Sequence, residues 1–228
     1  MGLDRLSTGV NGLDKLLRGG FPLGKASLVY GQASTGKTVL SLQTALQASV
    51  RGFKVFFVDC DLSFSVQRLE SLDRGKELAE NIVLFQPEDF REQTRVLEGL
   101  EVLLSKTPAL LIIDSITGLY RAELEGPGAA FGQSRELNRQ LAYLSDLSSR
   151  SGLTVLLTGQ VHSQPGFGPW VIAPVAMRTL RHWSFLIVRL RPTPRQDARE
   201  CLLEKMDGRE MKGPRTIVRI GENGLSDV

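Results

Sequence analysis

A chain of 228 residues with 42% hydrophobic and 23% charged residues can bury one large core and lacks the composition of a disordered polymer, so one domain over residues 1–228 is expected. Two distant cysteines, Cys60 and Cys201, and two separated histidines, His162 and His182, argue against a disulfide framework or a zinc site. No run of ~18 apolar residues offers a membrane span, and "MGLDRLSTG" lacks the layout of a signal peptide, so a cytoplasmic protein without a membrane partner is expected. The net charge of +3 is uneven, with eleven Lys/Arg against seven Asp/Glu from Arg178 onward. That basic third either meets an acidic partner or is a solvated surface.

In chain order, "ASLVYG" (26–31) is a short apolar run stopped by glycine, which predicts a buried strand. "KTVLSLQTALQAS" carries apolar residues at helical spacing, and "KVFFVD" predicts a second buried strand after the turn at Gly52. "SVQRLESL" reads as helix, "NIVLFQ" as a third strand, "EQTRVLEGLEVLLS" as amphipathic helix and "ALLIID" (109–114) as a fourth strand. "EGPGAAFGQS" reads as irregular, followed by the helix "RELNRQLAYLSDLSSRS" and a fifth strand, "LTVLLTGQ". "PGFGP" and "APVAMR" form a second irregular stretch. "SFLIVRL", "ECLLEKM" and "TIVRI" read as closing strands, linked by "RPTPRQD" and "DGREMKGP". The expected fold is α/β: a mostly parallel central sheet with helices on both faces and a C-terminal antiparallel extension.

"GQASTGKT", Gly31, Gln32, Ala33, Ser34, Thr35, Gly36, Lys37 and Thr38, matches G-x-x-x-x-G-K-[ST] between a strand and a helix, the context of a P-loop. Its glycines let backbone N–H groups turn inward around phosphate oxygens, and the helix N-terminus adds partial positive charge there. Lys37 would reach the β- and γ-phosphates of ATP, and Thr38 would offer its hydroxyl to Mg²⁺. Asp114, ending "ALLIID", is the second candidate for the Mg²⁺ site, or else a cap for the turn that follows. Gln160, ending the fifth strand, either senses a γ-phosphate or is a polar strand end. No arginine-rich lid follows the P-loop helix, which argues against a kinase.

These residues resemble the ATPase core of the RecA-superfamily recombinases, the archaeal RadA and eukaryotic Rad-type proteins, and among them the short archaeal RadB-like paralogues. "LSTGVNGLDKLLRGGFPLGKASLVYG" is similar to the family's opening, "DSITGLYRAELEGPG" to its Walker B and first DNA-binding loop, "TGQV" to its "TNQV" and the tail to its closing strands. The resemblance implies a RecA-like P-loop NTPase using ATP and Mg²⁺. It implies an accessory protein of homologous recombination and repair that binds single-stranded or branched DNA and modulates the main recombinase or other repair proteins. Without the family's N-terminal helical domain and Phe-x-x-Ala linker, a small homo-oligomer is expected rather than a filament. The contrasting reading is a nucleotide-gated protein-interaction module, KaiC-like or a paralogue within a complex, that does not use DNA.

The family's "DTEG.F.PERL" aligns with "DCDLSFSVQRL", placing Asp61 on the catalytic glutamate and Arg68 on an arginine that stacks on adenine. Aspartate is one methylene shorter, withdrawing the carboxylate by about 1.5 Å, and a misplacement of ~1 Å costs ~100-fold. Asp61 is therefore expected to be a slow base, or a carboxylate that only orders the strand tip. Pro127 stands where the strand-exchange proteins carry a loop arginine, and Ala176, Met177 and Arg178 stand where they carry Gly-Gly-Asn. Arg121 keeps the family's Tyr-Arg position and is a candidate DNA contact. Phe167 and Trp170, near His162, either stack on bases or pack their own loop. The C-terminal surplus adds Arg181, Arg189, Arg191 and Arg195 as candidate phosphate contacts.

Overall fold

The computed structural model describes residues 4–73, 78–104, 107–124, 129–163, 172–174 and 176–228. The elements in chain order are β1 (Arg5–Leu6), α1 (Asn11–Leu16), β2 (Phe21–Pro22), β3 (Ala26–Gly31), α2 (Lys37–Val50), β4 (Lys54–Asp59), α3 (Val66–Asp73), a 3₁₀ turn (Leu78–Asn81), β5 (Ile82–Phe85) and α4 (Phe90–Leu103). They continue as β6 (Ala109–Asp114), α5 (Gly118–Ala122), α6 (Ala129–Ser151), β7 (Thr154–Ser163), β8 (Ile172–Pro174), α7 (Met177–Trp183), β9 (Leu186–Pro192), β10 (Ala198–Met206), β11 (Arg209–Glu210), β12 (Arg215–Gly221) and β13 (Gly224–Asp227).

The apolar runs became strands of one sheet, ordered β13-β12-β10-β9-β3-β7-β6-β4-β5. From β9 to β5 the pairings are parallel; from β9 outward through β10, β12 and β13 they are antiparallel. The strand period of two sends Val55 and Phe57 to one core and Phe56 and Val58 to the other. The first core joins Leu13, Leu42 and Leu69 of α1, α2 and α3 with Val29 and Ile112 of the sheet, α2 lying directly against β3 and β6. The second lies under α4 and α6, with Leu97 and Leu141 on Leu28 and Leu111. Each such fully buried side chain contributes about 1.5–3 kcal/mol. Among the described residues no helix is long and apolar enough to cross a membrane.

Register is what makes a site of this sheet. Gly31 pairs with Gln160 across β3 and β7, and Asp59 with Asp114 across β4 and β6. Asp114 stands level with Thr158, so Gly31 and Gln160 lie two residues further along the same side of the sheet, the side on which open α/β sheets hold their ligands. The opening segment is fixed by Asp14, whose carboxylate accepts from the Ser7 hydroxyl (2.5 Å), the Thr8 hydroxyl (2.8 Å) and the Thr8 amide (2.8 Å).

Four expectations need correction. The fifth strand runs from Thr154 to Ser163, so Gln160 lies within it and does not end it. The stretch "EGPGAAFGQS" is helical from Ala129 onward. Gly132 faces open space on α6, while Gln133 and Ser134 bond back to Glu123 and Tyr120, so tertiary contacts overrule the glycine-rich composition. "APVAMR" ends in the start of α7, entered through Ala176 in the left-handed region (φ 54°). "DGREMKGP" contains β11, paired with the end of β10. Pro127, Phe167 and Trp170 lie outside the described residues.

Gly31 joins fold to loop at a close approach. A Cβ there would stand 2.4 Å from the Leu190 carbonyl oxygen on β9 and 2.9 Å from the Thr35 hydroxyl. The obstacle is backbone, so β9 must move. Gly31→Ala is expected to lower stability by about 1–3 kcal/mol, measured as a reduced urea midpoint with an unchanged m-value.

Candidate functional site

The loop after β3 turns at Ser34 (φ 59°) and Gly36 (φ 93°) before α2 begins at Lys37. The Thr35 hydroxyl donates to the Gln32 carbonyl at 2.8 Å, closing the turn from inside. The Lys37 ammonium is buried and donates to the carbonyls of Gly31 (3.2 Å) and Gln32 (2.8 Å). Burial pushes it below lysine's ordinary pKa range, against the pull of the Asp114 and Asp61 carboxylates. The cleft beside it holds about 400 Å³ and is lined by Ser34, Gly36, Lys37, Thr38, Asp61 and Asp114, with Ala33, Val39, Ser63, Gln160 and Ile220 completing the wall.

The three carboxylates at the tips of β4 and β6 have different surroundings. Asp59 is fully buried and accepts from the Ser63 amide (2.9 Å), the Phe64 amide (3.0 Å) and the Gln86 side chain (3.2 Å), so it shapes the chain leading to α3. Asp61 reaches the cleft and accepts on Oδ2 from the Ser115 hydroxyl (2.9 Å) and the Gln160 amide (2.8 Å). Asp114 accepts a short bond from the Thr158 hydroxyl on Oδ1, while its buried Oδ2 has no hydrogen-bond partner among the described residues. Burial raises the Asp114 pKa, the Thr158 and Thr38 hydroxyls oppose the rise, and Asp61 adds to it. A buried, half-satisfied carboxylate next to a threonine hydroxyl is a hard-oxygen donor set that suits Mg²⁺, so the residues fit the expected ion.

The sequence expectations for the P-loop, Lys37, Thr38, Asp61, Asp114 and Gln160 thus meet in one cleft. Arg68 stands beside it: its Nη1 donates to the carbonyls of Gly221 (3.3 Å) and Glu222 (3.0 Å), next to the Ile220 wall. Sequence reasoning passed over Ser115, Thr158 and Ile220. The first two had a signal, since Ser115 follows Asp114 and Thr158 lies two residues before Gln160, on the same strand face.

The candidate DNA contacts are not brought together with the cleft. Arg121 lies on α5. Arg181 is paired with Glu204 (3.0 Å) and Glu210, and Arg195 with Asp197 (3.2 Å). Arg191 stands 3.8 Å from Glu200 and is 42% exposed, and Arg189 lies 5.8 Å from the Tyr30 ring centroid.

Comparison with known proteins adds family to geometry. The family model described as Rad51 matches residues 2–228. The DNA repair and recombination protein RadB of Thermococcus kodakarensis is 38% identical over 228 residues, covering 98% of this chain and 99% of that protein. RadB of Methanococcoides burtonii is 30% identical over 192 residues, covering 83% of this chain and 84% of that one. A solved structure described as the crystal structure of the RadB recombinase superposes with a TM-score of 0.80 at 36% identity, covering 98% of this chain and 99% of that one.

The unpartnered oxygen of Asp114 generates an expectation independent of any ligand. Asp114→Asn removes a buried charge and should raise the stability of the ligand-free protein by on the order of 1 kcal/mol. Because the folded-state pKa of Asp114 is raised, its destabilising charge is present above that pKa and disappears as pH falls through it. The gain in urea denaturation should therefore be largest at neutral and alkaline pH and shrink in acid; a parental midpoint at neutral pH would contradict it.

Proposed function

Because the chain belongs to the Rad51 family, we propose that it acts in DNA repair and recombination as an accessory ATPase domain that binds ATP with Mg²⁺, hydrolyses it slowly, binds DNA and modulates the main recombinase. The observation that carries the nucleotide part is the convergence of Lys37, Thr38, Asp61, Asp114 and Gln160 on one cleft. Loop amides from Gly31 to Thr38 would cradle the phosphates, and Lys37 would leave its two loop carbonyls for phosphate oxygens. Asp114 Oδ2 and the Thr38 hydroxyl would hold Mg²⁺, which supplies neutralising charge to the phosphates when bound. Asp61 would accept a proton from the attacking water, and Arg68 would flank the adenine. A cytoplasmic setting and at most a small oligomer belong to the same reading.

Asp61 sets the rate in this account. Asp61→Glu, which extends the carboxylate into the cleft, should raise kcat about 10-fold or more, and Asp61→Asn should lower it with little change in ATP affinity. Equal rates for all three in a phosphate-release assay would make Asp61 structural.

The contrasting reading is a nucleotide-gated interaction module that does not use DNA. It draws support from Arg181 and Arg195, whose charges are already met by carboxylates of this chain. Fluorescence anisotropy with single-stranded and branched DNA, with and without Mg–ATP, separates the two. With DNA as partner, replacing Arg189 and Arg191 by alanine together should flatten the log–log salt dependence by about 1–2 units. Arg181→Ala should instead lower stability and leave that slope alone. Absence of binding at low salt would favour the module.

A further inference from the structure

We infer that Ser115 and Gly118 are positioning residues that keep the Asp61 carboxylate engaged at the edge of the cleft, so that the resting chain restrains its own hydrolysis; the inference rests on Asp61 being the base of the site proposed above. Both lone-pair regions of Asp61 Oδ2 are occupied, by the Ser115 hydroxyl at 2.9 Å and the Gln160 amide at 2.8 Å. The other oxygen lies against the backbone of Gly118. A Cβ on that glycine would stand 2.1 Å from Asp61 Oδ1 and 3.2 Å from its Cγ. The carboxylate thus occupies a slot that exists only because residue 118 has no side chain.

The slot has one wall built into a single turn of chain and another, Gln160, that faces the cleft. Ser115 is fully buried, and the Gly118 amide donates to its carbonyl at 3.1 Å, so both walls belong to one turn of chain. The Cys60 and Asp61 amides both donate to the Asp114 carbonyl (2.8 and 3.3 Å), which ties the Asp61 backbone to that same turn. Gln160 lines the cleft itself, so a terminal phosphate there would compete with Asp61 for its amide. Nucleotide would then release the Gln160 half of the hold and leave the Ser115–Gly118 half in place.

In the reaction, a water oxygen bonds to the terminal phosphorus as the bridging P–O bond breaks and ADP leaves, and the water proton passes to the base. Asp61 already lines the cleft, but it can take that proton only with an oxygen freed from its Ser115 and Gln160 partners. Removing the fixed half of the hold should therefore speed hydrolysis without tightening ATP. A residue that merely supports the fold would not move kcat alone.

The test compares single-turnover hydrolysis of ATP by the parent, Ser115→Ala and Gly118→Ala, each also combined with Asp61→Asn, with calorimetric Mg–ATP titration of every variant. Ser115→Ala should hydrolyse about 10-fold faster, the scale of one hydrogen bond to a charged group, at parental ATP affinity. Gly118→Ala, whose new methyl expels the carboxylate, should do the same, and both gains should vanish with Asp61→Asn. Rates at or below the parent's in variants that bind Mg–ATP normally would overturn the inference. Ser115→Ala changes volume little and decides the matter even if Gly118→Ala fails to fold. Failure of the parent itself to bind Mg–ATP would overturn the underlying nucleotide reading, and this inference with it.

Discussion

Three carboxylates crowd the tips of two neighbouring strands, and the site depends on how their negative charge is met. Asp59 is met by two backbone amides and Gln86, Asp61 by a serine and a glutamine, and Asp114 by the Thr158 hydroxyl with Thr38 nearby. Among the described residues only Lys37 brings a cation into the cleft lining, and burial weakens its hold on its own proton. Left so, the cleft carries more negative than positive charge in a poorly solvated place. That is a costly arrangement for a resting protein and an effective one for gathering a cation and the phosphates that travel with it. Asp114, with one oxygen bonded and one bare, is where the imbalance is sharpest.

The sheet imposes this crowding, and its far half is fastened to the result. Arg199 on β10 donates to the Ser34 carbonyl in the P-loop at 3.2 Å. Arg68 on α3 grips the turn between β12 and β13. Tyr30, one residue before the loop, donates to Glu204 on β10 at 2.7 Å and lies under Arg189. Burial, with Glu204 beside it, raises the Tyr30 pKa and keeps the phenol a donor. The antiparallel extension that bears the candidate DNA arginines is thus joined to the strand and loop that would carry phosphate. A shift in one has a short, bonded route to the other, through groups that are partly buried and so resist loosening.

What was legible in the sequence followed from local chemistry. Glycines at fixed spacing between an apolar run and a helical pattern mark the loop between β3 and α2, and the apolar runs ended by Asp59 and Asp114 mark strand tips, whereas β7 runs on past Gln160 to Ser163. What was hidden depended on partners far along the chain. Thr158 meets Asp114 because β6 and β7 pair in parallel, and Arg68 meets Gly221 across 153 residues. The pairing of Arg191 with Glu200 comes from the antiparallel register of β9 and β10, which places those residues opposite each other. The first turns of α6 were misread because glycine content speaks for the isolated chain, whereas Gln133 and Ser134 answer to Glu123 and Tyr120.

The exchange of glutamate for aspartate at position 61 takes on a second meaning beside Gly118. Shortening the side chain alone would merely move a base away from its water. Here the shorter chain also brings both oxygens within a slot built by Ser115, Gln160 and the bare Cα of Gly118. A glutamate, one methylene longer, would carry its carboxylate past the Ser115 hydroxyl and out toward Lys37 and the cleft. Under the proposed nucleotide reading, reach and restraint would be one variable: the residue too short to extend to the phosphate would be the one that can be stored. Under that reading a chain that retains ATP by hydrolysing it slowly would need both properties together, and a single side-chain length would supply them.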